Sequence, residues 1–156
     1  MEYVVYKELG ENIPGAKWNG TYQLVSALNN SSVIDLDQKN NNVILHQNKN
    51  GNNQKWKFVY DSGKNAYQIK NIANEDLVLA WNDYQGSNNV FATPNQYYDE
   101  HYWIVEDAGN GYFYLKNKKN SMYLDVTGSG TANGVNIIVW DFNGGNNQKF
   151  KLQKLN

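Results

Sequence analysis

The 156-residue sequence contains no cysteine and no arginine, and it contains only two prolines. The absence of cysteine excludes a disulfide framework, a thiolate metal site and a cysteine nucleophile. All 14 basic residues are lysines, so the planar guanidinium group that holds phosphate or guanine through two hydrogen bonds is missing. The net charge of −1 provides no basic excess to attract a nucleic-acid backbone. We therefore expect no nucleic acid among the partners of this protein.

Long apolar runs are missing as well, since the longest extend over only a few residues. A helix needs about 20 mostly apolar residues to cross a bilayer, so we expect no membrane insertion. The N-terminal segment MEYVVYKELG carries acidic side chains and lacks the charged-then-apolar order of an export signal.

Asparagine, glycine and aromatic residues are abundant, with 27 Asn, 13 Gly, 12 Tyr and 5 Trp. Asparagine and glycine tolerate the positive φ angles of tight turns, and tyrosine and tryptophan favour strands. No stretch shows the apolar periodicity of an amphipathic helix. The composition therefore predicts an all-β protein of many short strands with negligible helix. Richness in Asn, Lys and Tyr without Arg is also typical of low-GC bacterial coding.

Three sets of short segments recur along the chain. The first set ends in an aromatic residue every 47 residues: Gln54–Trp56, His101–Trp103 and Gln148–Phe150. The second set lies upstream of it: Tyr22–Leu24, Tyr67–Ile69 and Phe113–Leu115. The third set lies between the other two: Val33–Leu36, Val78–Trp81 and Tyr123–Val126. The sequence thus consists of three copies of one unit.

We divide residues 21–156 into repeats at about 21–66, 67–112 and 113–156, and we treat residues 1–20 as an N-terminal extension with a candidate strand at Tyr3–Tyr6. Within the repeats the apolar residues alternate as they do in a strand that is buried on one face. Three four-stranded copies arranged around one axis would leave no exposed sheet edge. This arrangement predicts equivalent buried positions for three aromatic residues: Trp56, Trp103 and Phe150.

Two segments, NNQKW at Asn52–Trp56 and NNQKF at Asn146–Phe150, resemble the Gln-x-Trp signature of ricin-B-type lectins. The resemblance covers about residues 21–156, and it implies a β-trefoil of three pseudo-symmetric four-stranded repeats. Several segments also resemble one trefoil of the clostridial haemagglutinin that accompanies botulinum neurotoxin: Gln54–Trp56, Ala66–Gln68, Asp76–Trp81 and Thr131–Gly134. The resemblance implies a carbohydrate-binding protein and suggests other toxin-complex subunits as partners.

In this family an Asp accepts hydrogen bonds from two sugar hydroxyls, and an aromatic residue about fifteen positions later stacks on the sugar. The Asn of an Asn-Gln pair completes the pocket, and the Gln holds the Asp loop. The third repeat matches each step with Asp125, Trp140, Asn147 and Gln148. The alternatives are a turn-capping role for Asp125 and a core position for Trp140. Because Trp140 alternates with Val139, we expect it to face outward and to stack.

The first repeat is a variant of this pattern. Asp35, Asn53 and Gln54 are present, but the loop after Asp35 is four residues shorter than the loop after Asp125. His46 stands where the third repeat has its tryptophan, and it is either a smaller stacking ring or a solvated side chain.

The second repeat lacks the sugar-binding residues. It has Ala80 in place of the Asp, Thr93 in place of the aromatic residue, and Glu100 and His101 in place of the Asn-Gln pair. We expect this repeat to serve as scaffold.

Catalysis finds little support in the sequence. The two histidines are 55 residues apart at non-equivalent repeat positions, and no Ser-His-Asp spacing, metal motif or phosphate-binding glycine loop is recognisable. Asp35 and Asp125 belong to different repeats, whereas a glycosidase pair needs about 5–9.5 Å. We expect no enzyme, no cofactor and no metal site.

Two functions follow from these observations. The first is a carbohydrate-binding lectin that recognises galactose-type sugars, galactose or N-acetylgalactosamine, on cell-surface glycans through two pockets, in the first and third repeats. The alternative is a non-catalytic assembly or targeting subunit of a toxin or enzyme complex, in which the sugar sites are largely relics. For either function we expect a protein that is secreted or released from a bacterial cell without a recognisable signal peptide.

Overall fold

A computed structural model describes residues 16–155 of the chain. The candidate strand at Tyr3–Tyr6 therefore lies outside the described residues. Twelve strands are formed: β1 (Gly20–Ser26), β2 (Val33–Asp37), β3 (Asn42–His46), β4 (Trp56–Asp61), β5 (Ala66–Asn71), β6 (Asn74–Trp81), β7 (Val90–Pro94), β8 (Trp103–Gly109), β9 (Tyr112–Asn117), β10 (Tyr123–Val126), β11 (Val135–Trp140) and β12 (Phe150–Lys154). The helical segments of this part of the chain are five 3-10 turns: Ala16–Trp18, Asn52–Gln54, Asp99–His101, Thr127–Ser129 and Asn146–Gln148. None of them is long enough to cross a membrane.

Six of the strands close into a barrel. Following the antiparallel ladders, β1 pairs with β4, β4 with β5, β5 with β8, β8 with β9, β9 with β12, and β12 with β1 again. The other six strands form three hairpins, β2–β3, β6–β7 and β10–β11. Each repeat supplies two barrel strands and one hairpin, so the predicted β-trefoil is confirmed. Closure satisfies the barrel strands on both sides and removes their edges.

The three aromatic residues that recur every 47 residues are fully buried in the core, with Trp56, Trp103 and Phe150 all at 0% exposure. The indole Nε1 of Trp56 donates to the carbonyl of Ile34 at 3.0 Å, and that of Trp103 donates to the carbonyl of Leu79 at 2.8 Å. Their equivalent positions confirm the prediction made from the spacing.

The three hairpins meet in a ring of asparagine side chains, Asn42, Asn89 and Asn136, which are also 47 residues apart. Asn42 donates to Asn136 at 2.9 Å, Asn136 donates to Asn89 at 2.8 Å, and Asn89 donates to Asn42 at 2.9 Å. Each side-chain amide thus donates one hydrogen bond to one neighbour in the ring and accepts one from the other. This ring joins the hairpins, and the sequence reasoning above did not identify it.

The register of the hairpins fixes which side chains correspond between repeats. Tyr123 lies opposite Trp140 in the third repeat, and Val33 lies opposite His46 in the first. In the second repeat the same place is held by Val78 opposite Thr93. The register therefore aligns equivalent positions in the three hairpins.

Candidate functional site

The hairpin β10–β11 and the following 3-10 turn enclose a cleft of about 330 Å³ in the third repeat. Its lining consists of one carboxylate, one large aromatic ring, two amides and small or apolar groups: Asp125, Trp140, Asn143, Asn147, Thr127, Gly128 and Ile138. Its volume lies at the small end of the range for ligand sites. Asp125, Trp140 and Asn147, which the sequence assigned to one site, are brought together here.

Asp125 is only 3% exposed, yet its two carboxylate oxygens are used unequally. Its Oδ2 accepts hydrogen bonds from Asn147 Nδ2 at 2.9 Å and from Gln148 Nε2 at 2.8 Å. Within residues 16–155 no group donates to Oδ1. Oδ1 is therefore available to a ligand hydroxyl, and a carboxylate oxygen is a strong acceptor for it.

Gln148 lies behind the carboxylate and is fully buried. Its Nε2 also donates to the carbonyl of Asp141 at 2.8 Å, and its Oε1 accepts the backbone N–H of Asn143 at 3.0 Å. All of these partners belong to the protein. Gln148 thus positions Asp125 and the loop after β11.

Trp140 stands at the end of β11 and is 48% exposed. Its neighbours in the alternating pattern, Ile137 and Val139, are fully buried. A large exposed ring next to a buried carboxylate provides an apolar surface at a polar site.

The first repeat forms a corresponding cleft of about 390 Å³ around Asp35. Oδ2 of Asp35 accepts from Gln54 Nε2 at 2.8 Å, and Oδ1 accepts from Asn53 Nδ2 at 3.3 Å. Asn53 Nδ2 also lies 3.2 Å from the carbonyl of Leu36. Both oxygens of this carboxylate therefore already have a protein donor.

His46 lines the first cleft in the place that Trp140 takes in the third. It is half-buried, and its Nδ1 lies 3.0 Å from the carbonyl oxygen of Gln47. Asp37, Lys39 and Lys49 also line this cleft, so it contains more charged groups than the third-repeat cleft.

Burial raises the pKa of both cleft carboxyls above its ordinary value. For Asp125 the hydrogen bonds from Gln148 and Asn147 oppose this effect without cancelling it. For Asp35 the hydrogen bond from Gln54 is the largest effect that lowers the pKa, followed by the charge of His46 and the hydrogen bond from Asn53. The negative charge of Asp37 raises the pKa further. Desolvation of the charged form is the main cause in both.

The second repeat keeps the backbone of the hairpin without its polar site. Ala80 is fully buried at the position of the carboxylate. His101 Nδ1 accepts the backbone N–H of Gln96 at 3.3 Å, as Gln54 Oε1 accepts that of Lys49 at 2.8 Å. Burial lowers the pKa of His101 and so favours the neutral form that can accept this bond.

Two glycines that the sequence reasoning read only as turn residues shape the clefts. A Cβ on Gly145 would lie 2.6 Å from Oδ1 of Asn147, and a Cβ on Gly51 would lie 2.7 Å from Oδ1 of Asn53. The equivalent residue in the second repeat is Tyr98, where no such Asn follows. A glycine two residues before each Asn was the signal in the sequence.

The family model described as ricin-type beta-trefoil lectin domain-like matches residues 99–156. Pierisin from Pieris brassicae is 32% identical over 105 residues, which make up 65% of this chain and 12% of pierisin. The main hemagglutinin component type C of a Clostridium botulinum C phage is 36% identical over 88 residues, 56% of this chain and 30% of that protein. This chain thus matches less than a third of the length of either relative.

Among solved structures, a mosquitocidal holotoxin has a TM-score of 0.85 and 31% identity, over 91% of this chain and 17% of the toxin chain. ThreeFoil, a designed three-fold symmetric protein, has a TM-score of 0.79 and 27% identity, over 88% of this chain and all of its own. The Macrolepiota procera ricin B-like lectin, solved with lactose, shares the fold at a TM-score of 0.75 and 20% identity, over 88% of this chain and 96% of the lectin.

These matches confirm the resemblance to ricin-B-type β-trefoil lectins and to the clostridial haemagglutinin component. The lectin description of the family model and the name of the haemagglutinin component favour carbohydrate binding in general. They do not assign a sugar or a pocket.

Proposed function

We propose that this chain is a lectin that binds galactose-type sugars on cell-surface glycans through the pockets of its first and third repeats. The observation that carries the proposal is Asp125, whose Oδ1 has no donor among residues 16–155 and whose cleft is bordered by the exposed ring of Trp140. A sugar offers vicinal hydroxyls to such a carboxylate and a face of C–H groups to such a ring. Asn147, held against Asp125, presents an amide to a further hydroxyl.

Galactose is favoured by two considerations. Its axial 4-hydroxyl leaves one face of the ring as a patch of C–H groups suited to an aromatic plate. The Macrolepiota procera lectin, which shares this fold, was solved with lactose, a galactose-containing disaccharide. On these grounds we propose galactose or N-acetylgalactosamine as the sugar that this chain binds.

The two pockets differ in their expected strength. Water competes for every sugar hydroxyl, so we expect one such pocket to bind with a dissociation constant in the millimolar range, which corresponds to a binding free energy of about −4 kcal/mol. Two pockets on one rigid body gain about 10²–10⁴ in avidity when the glycans are spaced to match. We expect the third-repeat pocket to dominate and the first-repeat pocket to add valence.

A targeting subunit of a toxin or enzyme complex is a second candidate, and the coverage of the relatives favours it. The matched region makes up 30% of the haemagglutinin component and 17% of the holotoxin chain, so this trefoil corresponds to one module of larger proteins. In this role the chain acts outside the bacterial cell and brings a partner to glycans. Sugar binding by the isolated chain is common to both roles when the pockets are intact.

Titration of the purified chain with lactose, followed by NMR, tests the proposal. We expect millimolar binding that shifts the indole signal of Trp140, and loss of that shift in Asp125→Ala. Asp83→Ala, which removes an exposed carboxylate in the second repeat, serves as the matched control and should bind like the unmodified protein. Unchanged lactose shifts in Asp125→Ala would contradict the assignment of the pocket.

A further inference from the structure

Three aromatic side chains of the third repeat lie next to its cleft: Tyr114 on β9, Tyr123 on β10, and Phe142 just after β11. We call them the aromatic platform. Their ring centroids are 5.7 Å apart for Tyr114 and Tyr123, 5.2 Å for Tyr114 and Phe142, and 5.3 Å for Tyr123 and Phe142. All three pairs meet edge to face, and Phe142 remains 58% exposed.

The other two repeats have different chemistry at the same three positions. Their residues are Gln, Val and Asn in both cases: Gln23, Val33 and Asn48, and Gln68, Val78 and Asn95. In each of these repeats the Gln and the Asn exchange two side-chain hydrogen bonds, at 2.8 and 3.0 Å in the first and at 2.6 and 3.0 Å in the second. The trefoil therefore accepts a reciprocal amide pair where the third repeat has Tyr114 and Phe142.

Folding alone gives no reason for the exposed Phe142. An aromatic pair contributes about 0.5–1.5 kcal/mol, but most of the Phe142 surface stays in water, where an apolar ring gains nothing. An exposed apolar group beside a polar cleft is instead typical of a binding surface. The aromatic residues replace the amide pair only in the repeat that has both the carboxylate and Trp140.

The aromatic platform adjoins the cleft along the hairpin β10–β11. Tyr123 is the cross-strand neighbour of Trp140 on the same face of the hairpin. Phe142 follows Trp140 by two residues and directly precedes Asn143, which lines the cleft. The hydroxyl of Tyr123 donates to Glu106 at 2.6 Å and so holds that ring at the border of the cleft.

We infer that the aromatic platform is a second subsite, which binds the next sugar ring of a glycan whose terminal ring occupies the third-repeat cleft. The ligand class is a disaccharide or a longer chain, and its second pyranose lays a C–H face on Phe142. This inference rests on the proposed function, since it needs a terminal sugar at Asp125 and Trp140. It adds a reason for this pocket to prefer extended glycans over single sugars.

The test compares methyl β-galactoside with lactose, with the Trp140 indole signal reporting on the third-repeat cleft. The double variant Tyr114→Gln with Phe142→Asn installs the amide pair of the other repeats, and the single variant Phe142→Asn serves if the double variant does not fold. Tyr84→Asn, which removes another exposed aromatic ring in the second repeat, is the matched control. We expect lactose to bind the unmodified protein about three- to tenfold more tightly than methyl β-galactoside.

In the amide variants this advantage of lactose should disappear, while the affinity for methyl β-galactoside stays the same. Equal affinities of both sugars for the unmodified protein, or an equal loss of both in the variants, would overturn the subsite. A protein that binds lactose no better but still binds methyl β-galactoside leaves the proposed function intact. Absence of methyl β-galactoside binding contradicts the proposed function itself, and the subsite with it.

Discussion

The clefts of the first and third repeats are built from the same hairpin and the same Asn-Gln pair, but they hold their carboxylates differently. Both amides of the third repeat donate to one oxygen of Asp125, so the other oxygen is available to a ligand. In the first repeat one amide donates to each oxygen of Asp35. A sugar at Asp35 must therefore compete with Asn53, although the 3.3 Å length of that bond makes it a weak competitor.

The second repeat shows that a hairpin of this fold forms without a carboxylate at this position. Ala80 is buried at the equivalent position, and His101 takes over the backbone contact of the lost Gln. Changes at Asp35 and Asp125 should therefore alter binding far more than folding.

The largest effect is expected from Asp125→Asn. A charge-assisted hydrogen bond is worth about 1.5–3 kcal/mol, so affinity at the third-repeat cleft should fall about 10- to 100-fold. Folding should be preserved, because the Asn carbonyl can still accept from Asn147 and Gln148. Lactose titration with the Trp140 indole signal as readout measures the loss.

Asp35→Asn is the matched control for this variant. It should leave the Trp140 response unchanged and remove only the weaker binding of the first repeat. If Asp35→Asn lowers lactose affinity more than Asp125→Asn does, the prediction that the third-repeat cleft binds more tightly is wrong.

The next largest effect is expected from Gly145→Ala. The added Cβ would lie 2.6 Å from Oδ1 of Asn147, so this side chain must turn away and its bond to Asp125 is lost. Asn147 then no longer presents its amide to a sugar hydroxyl. The loss of that one neutral hydrogen bond, about 1 kcal/mol, corresponds to about a fivefold loss of affinity at the third-repeat cleft. Calorimetry with lactose checks the change.

Gly51→Ala makes the same substitution in the first repeat, where the Cβ would meet Asn53. It should spare the third-repeat cleft entirely. If Gly145→Ala binds lactose normally, Asn147 does not take part in binding.

A smaller effect, a gain in affinity at the first cleft, is expected from His46→Trp, which gives the first repeat the aromatic ring that the third repeat has. A larger aromatic surface is worth about 0.5–1.5 kcal/mol, so affinity at the first cleft should rise about three- to tenfold. The measurement uses the Asp125→Asn background, in which binding at the third-repeat cleft is already weakened. No gain would mean that the occupied oxygens of Asp35, and not the small ring, limit this cleft.

The repeats and the family resemblance were sufficient to predict the trefoil and which side chains meet at the two clefts. The 47-residue spacing sets the core aromatic residues, and strand alternation places Trp140 outward. The carboxylate oxygen that each amide reaches could not be predicted, because a small displacement of the amide decides it. The contact of Tyr114 with Phe142 joins residues far apart in sequence, so only the folded chain reveals it. The asparagine ring was visible in the spacing of Asn42, Asn89 and Asn136, and it was missed.

The smallest effect concerns the pH dependence of stability. Burial raises the pKa of Asp125, so the folded protein binds this proton more tightly than the unfolded chain does. The contribution of Asp125 to stability is therefore most favourable at pH values below the unfolded pKa, and it declines as pH rises through the folded pKa. Asp125→Asn removes the titration, so its stability relative to the unmodified protein should rise as the pH increases from the unfolded pKa to the folded pKa. Urea unfolding at several pH values measures the difference, and a difference that shrinks with rising pH would show that the hydrogen bonds from Asn147 and Gln148 outweigh burial.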